Sequence, residues 1–240
     1  MGTLKLVQER KRSFEPYVMK QDKAAYKFWN SRKVISEFGN KPIDEYWKSV
    51  LEEIDNRDSK NVLDLGCGAG RNTEIAIKLG FKTYACDLND GMVEAAKNRI
   101  KSSFVDFNIG NITKADMRSL PYSSDFFDVI IANGIYHNVT TKESLILALN
   151  ETVRVLKKDG LLLLNMFTAD SVDTSSLTES PKKPVYISND NLKMVLLISE
   201  KILNFLNKLG LKPVKDIQKY NRSINTGERS VLRTVLKKNE

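Results

Sequence analysis

Residues 62–70 read Val62-Leu63-Asp64-Leu65-Gly66-Cys67-Gly68-Ala69-Gly70, an apolar run that passes directly into three glycines at alternate positions. A short apolar run bounded by glycine reads as a buried strand, and the residues after Gly70 carry a helical pattern. Glycine lets the backbone turn tightly and approach a ligand with no Cβ in the way. The helix start beyond it offers unpaired N–H groups and the positive end of the helix dipole, which suit a carboxylate or a phosphate. Strand, glycine turn and helix in that order commit the chain to an α/β layout whose ligands lie beyond the carboxyl ends of the strands. The dinucleotide fingerprint is G-x-G-x-x-G. Here the spacing is D-x-G-x-G-x-G, which points instead to a nucleoside with an amino-acid tail.

The rest of the chain continues the alternation. Strands are predicted over Asn61–Leu65, Lys82–Cys86, Asn111–Lys114, Phe127–Ala132 and Leu161–Phe167. Between them helices are predicted over Arg71–Leu79, closed by Gly80, over residues 90–100 with Asn89 as the cap, and over Lys142–Leu156 before the Asp159-Gly160 turn. Such alternation implies a parallel sheet with helices on both faces. Residues 20–56 have helical periodicity broken at Gly39-Asn40-Lys41-Pro42, so residues 1–56 are expected to form a helical cap on the domain of residues 57–240. Residues 170–186 read as a loop, and the segment 168–189 as a lid. A long helix is expected from Asn189 or Asp190 to Leu209. Lys212–Tyr220 and Ser230–Lys237 then form a hairpin around Asn225-Thr226-Gly227, making the last strand antiparallel.

Composition narrows the setting. The 240 residues suffice for one α/β domain, and no apolar run approaches membrane-spanning length. The charged N-terminus lacks a signal-peptide core, so a cytoplasmic location is expected. Cys67 and Cys86 read as small buried residues, with neither a disulfide nor a metal site expected. Net charge is +8, divided as +3 over residues 1–60, −1 over 61–189 and +6 over 190–240. A basic balance can signal a nucleic-acid partner. The lysines are nevertheless spread along helix faces rather than clustered, so nucleic acid is the second reading.

Val62–Gly70 (VLDLGCGAG), Tyr84–Met92 (YACDLNDGM), residues 115–130 (ADMRSLPYSSDFFDVI) and residues 155–167 (VLKKDGLLLLNMF) together resemble the ordered motifs of the class I S-adenosylmethionine-dependent methyltransferases. The resemblance spans about residues 60–168 and implies a Rossmann-like, doubly wound, mostly parallel seven-stranded sheet with an antiparallel C-terminal hairpin strand. It implies S-adenosylmethionine as cofactor and S-adenosylhomocysteine as product. By position, Asp64 and the backbone of Gly66, Gly68 and Gly70 would hold the methionine end, with Cys67 in the same cofactor-binding loop, and Asp87 the ribose hydroxyls. Leu88 and Met117 would flank the adenine, Asp116 would accept from its amine, Asn133 would line the floor near the sulfonium, and Met92 and Ala115 would also belong to the cofactor site. In place of a (D/N)PPY-like tetrapeptide after the fourth strand stands Asn133-Gly134-Ile135-Tyr136, which argues against amino-methylation of adenine or glutamine by the chemistry that tetrapeptide serves.

The acceptor is expected among residues 133–141, the lid, the hairpin turn and the N-terminal cap. His137, the single histidine, is the candidate general base because imidazole titrates near neutrality. Tyr136 is the weaker candidate, to orient the acceptor, and Arg222 could hold an anionic one. Tyr26, Trp29 and Trp47 fit the core better than a cofactor cover. The expected acceptor is an oxygen or nitrogen of a small-molecule metabolite, with an RNA or tRNA acceptor second and a non-catalytic cofactor-binding module third. The sequence assigns no oligomeric state.

Overall fold

A computed structural model describes residues 23–239 of the chain. The apolar strand β1 (Asn61–Leu65) is buried along almost its whole length and pairs in parallel with β2 (Lys82–Asp87) on one side and β4 (Phe127–Asn133) on the other. β2 pairs with β3 (Ile112–Lys114), and β4 with β5 (Leu156–Val172). The hairpin of β10 (Gln218–Ile224) and β11 (Gly227–Lys238) closes the sheet by running β11 antiparallel to β5. The resulting order is β10-β11-β5-β4-β1-β2-β3, seven strands as the resemblance implies. An eighth short strand, β9 (Leu211–Pro213), pairs with the far end of β11, so the strand predicted over Lys212–Tyr220 is two strands.

Helices cover both faces. The helix α4 (Arg71–Lys78) and, from the cap, α3 (Glu45–Glu52) bury Ile75, Trp47 and Leu51 against Val129, Ile131, Leu163 and Val235. On the opposite face α6 (Lys142–Val155) and α7 (Ser199–Lys208) bury Leu145, Leu149, Ile202 and Leu206 against Leu63, Ile130, Leu162 and Leu164. Burial of this apolar surface from both sides is what holds a parallel sheet together. The helix α5 (Asp90–Lys101) packs near β2 and β3 with Val93, Ala96 and Ile100.

Three expectations change. The first cap helix is two, α1 (Lys23–Trp29) and α2 (Arg32–Gly39), because Ser31 leaves helical geometry and its hydroxyl accepts from the Val34 N–H at 3.4 Å. Residues 1–22, the remainder of the expected cap, lie outside the described residues. The segment predicted as a loop and a long helix holds a three-stranded antiparallel sheet, β6 (Leu177–Glu179), β7 (Val185–Ser188) and β8 (Lys193–Val195). Met194 and Leu196 bury themselves with Leu177 beside Phe167, and this packing overrides the helical tendency of residues 189–198. Helix α7 therefore begins only at Ser199, whose N–H donates to Asp170 Oδ1 at 2.8 Å. Among the described residues no helix is long and apolar enough to cross a membrane.

Candidate active site

The turn after β1 is built as the glycine spacing requires. Gly66, Gly68 and Gly70 have φ of 69°, 54° and 83°, in the left-handed region that favours glycine. The N–H groups of Gly66 and Cys67 both donate to the Cys86 carbonyl, at 2.8 and 2.9 Å, which ties the loop to the end of β2. A Cβ at Gly66 would lie 2.5 Å from Ile135 Cδ1, so this glycine keeps the space under Ile135 open. A Cβ at Gly70 would meet Ala96 Cβ and Cα at 3.1 and 3.2 Å, so that glycine lets the loop pack on α5.

A cavity of about 290 Å³ opens between this loop, the ends of β2 and β4, and the cap helices. Its walls include Gly66, Gly68, Asp87, Leu88, Met92, Ala115, Asp116, Met117 and Asn133, nine of the twelve residues expected to hold the cofactor. Asp64, Cys67 and Gly70 stand behind that wall. Asp64 is buried, accepts from the Thr73 hydroxyl at 2.7 Å through Oδ2, and has no partner for Oδ1. Burial raises its pKa to about 6. Cys67 and Cys86 are free and buried, and burial pushes both thiols up.

Asp87 spans the cavity floor. Its Oδ2 accepts from the Gly68 N–H at 3.0 Å, and its Oδ1 accepts from the backbone and side-chain amides of Asn89 at 2.9 and 3.0 Å. Asn89, expected to cap α5, thus spends its side chain on Asp87, and the capping oxygen comes from Asn30 of the cap, which accepts from the Gly91 N–H at 2.9 Å. Asp116 reaches the cavity already in a two-pronged pair with Arg118, at 2.9 and 2.7 Å. An adenine amine would therefore share its carboxylate with that guanidinium.

The two catalytic candidates are core residues here. Tyr136 is fully buried and its hydroxyl pairs with Thr152 Oγ1 at 2.7 Å. His137 is 3% exposed, stacks on Phe167 with ring centroids 4.1 Å apart, and accepts from the Phe167 N–H at Nδ1. Burial, with the charge of Arg229 beside it, lowers its pKa to about 3. Neither side chain lines the cavity, where the same turn instead contributes Gly134, Ile135, Asn138 and Val139. The turn folds into a short 3₁₀ segment, Tyr136–Asn138, that directs both rings inward. The segment expected as a lid supplies no residue to the cavity wall, being folded as the small sheet.

The cap does more than its sequence suggested. Tyr26, Trp29 and Phe38 line the cavity, whereas Trp47 is fully buried in the core as expected. Residues of the sheet also combine in a way one segment cannot reveal. Asn133, Asn165 and Arg233 stand in register on β4, β5 and β11, a polar row across the sheet level with the carboxyl end of β4. With its amide oxygen toward them, Asn133 accepts from Arg71 Nη2 at 3.0 Å and Trp47 Nε1 at 3.3 Å. The interruption of apolar runs by Asn165 and Arg233 was the available signal.

Comparison with known proteins agrees with this architecture. The family model "Methyltransferase domain" matches residues 63–164. The chain is 28% identical over 143 residues to a tRNA (carboxymethyluridine(34)-5-O)-methyltransferase of Arabidopsis thaliana, covering 59% of this chain and 33% of that protein. It is 33% identical over 156 residues to the ubiquinone/menaquinone biosynthesis C-methyltransferase UbiE of Ectopseudomonas mendocina, covering 60% of this chain and 59% of that one. The chain thus spans from about a third to three fifths of the length of these relatives. Among solved structures, the PH0226 protein of Pyrococcus horikoshii superposes with a TM-score of 0.62 at 18% identity, covering 94% of this chain and all of that one. A Burkholderia thailandensis 1,6-didemethyltoxoflavin-N1-methyltransferase, solved with S-adenosylhomocysteine, superposes at 0.54 with 16% identity, covering 98% of this chain and 88% of that one.

Proposed function

We propose that this chain, whose residues 63–164 match the methyltransferase domain, is a class I S-adenosylmethionine-dependent methyltransferase acting on an oxygen or nitrogen of a small-molecule metabolite. The observation that carries the reading is the cavity between the glycine loop and Asn133, whose walls include nine residues expected to face the cofactor. Those residues fit S-adenosylmethionine: Asp87 has a carboxylate for a diol, Leu88 and Met117 are apolar walls for a flat ring, and the unpartnered Asp64 Oδ1 lies behind the loop that would receive a charged amino-acid tail. When bound, the cofactor supplies a sulfonium methyl carbon, to which the acceptor lone pair forms a bond while the sulfur–carbon bond breaks and leaves a thioether.

The protein's share of that step is alignment and exclusion of water. Asn133 and Asn138 set polar contacts at the end of β4, and Trp29, Phe38 and Ile135 close the cavity with apolar surface. His137 is buried behind the wall, so the reading needs no histidine base. It favours an acceptor that arrives with its lone pair free, as a neutral amine or an ionised hydroxyl. A tRNA acceptor is the second reading, supported by the Arabidopsis relative and the net charge of +8.

The test is transfer of a labelled methyl group from S-adenosylmethionine into a fractionated cell extract. Label in the small-molecule fraction is the expected result. Label confined to RNA would replace the first reading by the second, and no label with either, together with no S-adenosylhomocysteine binding by calorimetry, would overturn both.

A further inference from the structure

Beside the cavity, on the far side of Asn133 and Phe38, four cationic side chains gather from separate parts of the chain. Lys41 comes from the turn after α2, Arg71 opens α4, and Arg222 and Arg233 come from β10 and β11. Two of them, Arg71 and Arg233, share one close carboxylate. Asp44 Oδ2 lies 3.2 Å from Arg233 and 3.9 Å from Arg71, and the side chains of Asp44, Arg71 and Arg233 are only 11%, 21% and 13% exposed. The guanidinium of Arg233 sits 4.9 Å from the Tyr46 ring centre and 5.2 Å from that of Trp47, and its Nε is shut off from solvent with no partner. Lys41 Nζ lies 3.5 Å over the Phe38 ring, which itself lines the cavity.

Burial first, then the charges of Arg71 and Arg222, lower the Lys41 pKa to about 8 despite the opposing Glu37. Arg71 is shifted down by burial first and also by Arg222 and Arg233, against Asp44 and the buried Asp64. Gathering partly desolvated cations is unfavourable unless an anion joins them. Among the described residues Asp44 is the one carboxylate within 4 Å of any of the four, and Glu37 and Asp64 act on Lys41 and Arg71 from farther away. A solvated surface face would leave these groups exposed and apart, which the burial of Arg71 and Arg233 contradicts.

We propose that this cluster is an oxyanion subsite for the methyl acceptor, in which Lys41, Arg71, Arg222 and Arg233 receive a carboxylate or phosphate of a small molecule whose reacting atom lies toward Asn133. The proposal rests on the methyl-transfer reading. Asp44 is the internal carboxylate with which the acceptor's anion competes. Guanidinium groups present two parallel N–H donors to such an oxyanion. Arg71 and Arg233, 21% and 13% exposed, are more open to a small terminal anion than to the bulky backbone of an RNA helix.

The experiment is calorimetric titration of the full chain, saturated with S-adenosylhomocysteine, with sodium benzoate in one arm and inorganic phosphate in the other. Wild type, Arg222→Gln, Arg233→Gln and Asp44→Asn are compared, with thermal melting as the check of folding; Arg222 is exposed, so its variant keeps the test open if Arg233→Gln fails to fold. One of the two oxyanions is expected to bind wild type with a millimolar or lower Kd, at least tenfold more weakly to Arg222→Gln and Arg233→Gln, and more tightly to Asp44→Asn. The arm that binds identifies carboxylate or phosphate. Saturation with S-adenosylhomocysteine but no binding of either oxyanion, or equal binding by all four proteins, overturns the subsite. A single-stranded RNA 20-mer that binds through Arg222 where neither oxyanion does would also overturn it, in favour of a polynucleotide. Oxyanion binding without any S-adenosylhomocysteine binding would keep the subsite and remove the methyl-transfer reading.

Discussion

Asp64 and His137 are buried titratable groups whose effects on stability run in opposite directions. Asp64 has a folded pKa of about 6, above the ordinary carboxylate value, so the folded protein holds its proton more tightly than the unfolded chain does. Its contribution is most favourable in acid and is lost as pH rises through about 6. His137 has a folded pKa of about 3, below the ordinary imidazole value, so protonation favours the unfolded chain. Its contribution is present above about pH 6.5 and is lost as pH falls. Relative to wild type, His137→Gln should gain about 2 kcal/mol of unfolding free energy between pH 7 and pH 5, since glutamine keeps an acceptor for the Phe167 N–H without titrating. Asp64→Asn should be more stable at pH 7, by up to about 3 kcal/mol, and should lose stability more steeply toward acid. Denaturant melts at three pH values measure both, and parallel pH profiles of all three proteins would contradict the assignment. If His137 is not a base, the glutamine variant should also keep kcat within about twofold with an unchanged pH profile. That residues 136 and 137 follow β4 was legible; that the turn points both rings into the core was not, because a 3₁₀ segment has no periodicity to read.

At the level of elements, glycine spacing and alternating apolar runs placed β1 to β5 and the three helices between them. What they did not place depends on partners distant in sequence. Helix α5 is capped by Asn30, which also donates to Asn89 Oδ1 at 3.2 Å, and α7 begins where Asp170 accepts from the Ser199 N–H and hydroxyl. Local sequence offers Asn89 for the first cap and Asn189 for a helix start ten residues early. Helix α1 contains no buried residue, so its position depends on such cross-links and on the cavity surface it covers. Asn30→Ala should therefore cost about 1 kcal/mol of stability, as lost caps do, and loosen the Asn89–Asp87 contact beneath the cofactor. The expected readouts are a severalfold weaker affinity for S-adenosylhomocysteine and faster amide exchange over residues 23–38. Exchange in that segment should also slow when ligand binds wild type. Equal exchange with and without ligand would show that the cap helices do not contact the cofactor.

For the molecule as a whole, the charge distribution separates the glycine-loop cavity from the basic cluster proposed to receive the acceptor. Residues 61–189, which supply most of the cofactor cavity, sum to −1, while the basic excess lies in the two ends of the chain that bring Lys41, Arg222 and Arg233 together. The motifs fall in the near-neutral middle, so the cavity was legible in the sequence and the basic cluster was not, because its residues meet only after the sheet closes. This division has a measurable consequence. S-adenosylhomocysteine is a zwitterion of no net charge near neutral pH, and screening should hardly alter its binding. At about 100 times its Kd it should stabilise the fold by about 2.7 kcal/mol, a rise in Tm of roughly 5–10 °C. The shift should be the same at 50 and 500 mM salt. Binding of an oxyanion at the basic cluster should weaken over the same range, and binding of RNA should fall by orders of magnitude. A cofactor shift that itself collapses with salt would mean that the cationic groups, and not the glycine loop and Asp87, hold the donor.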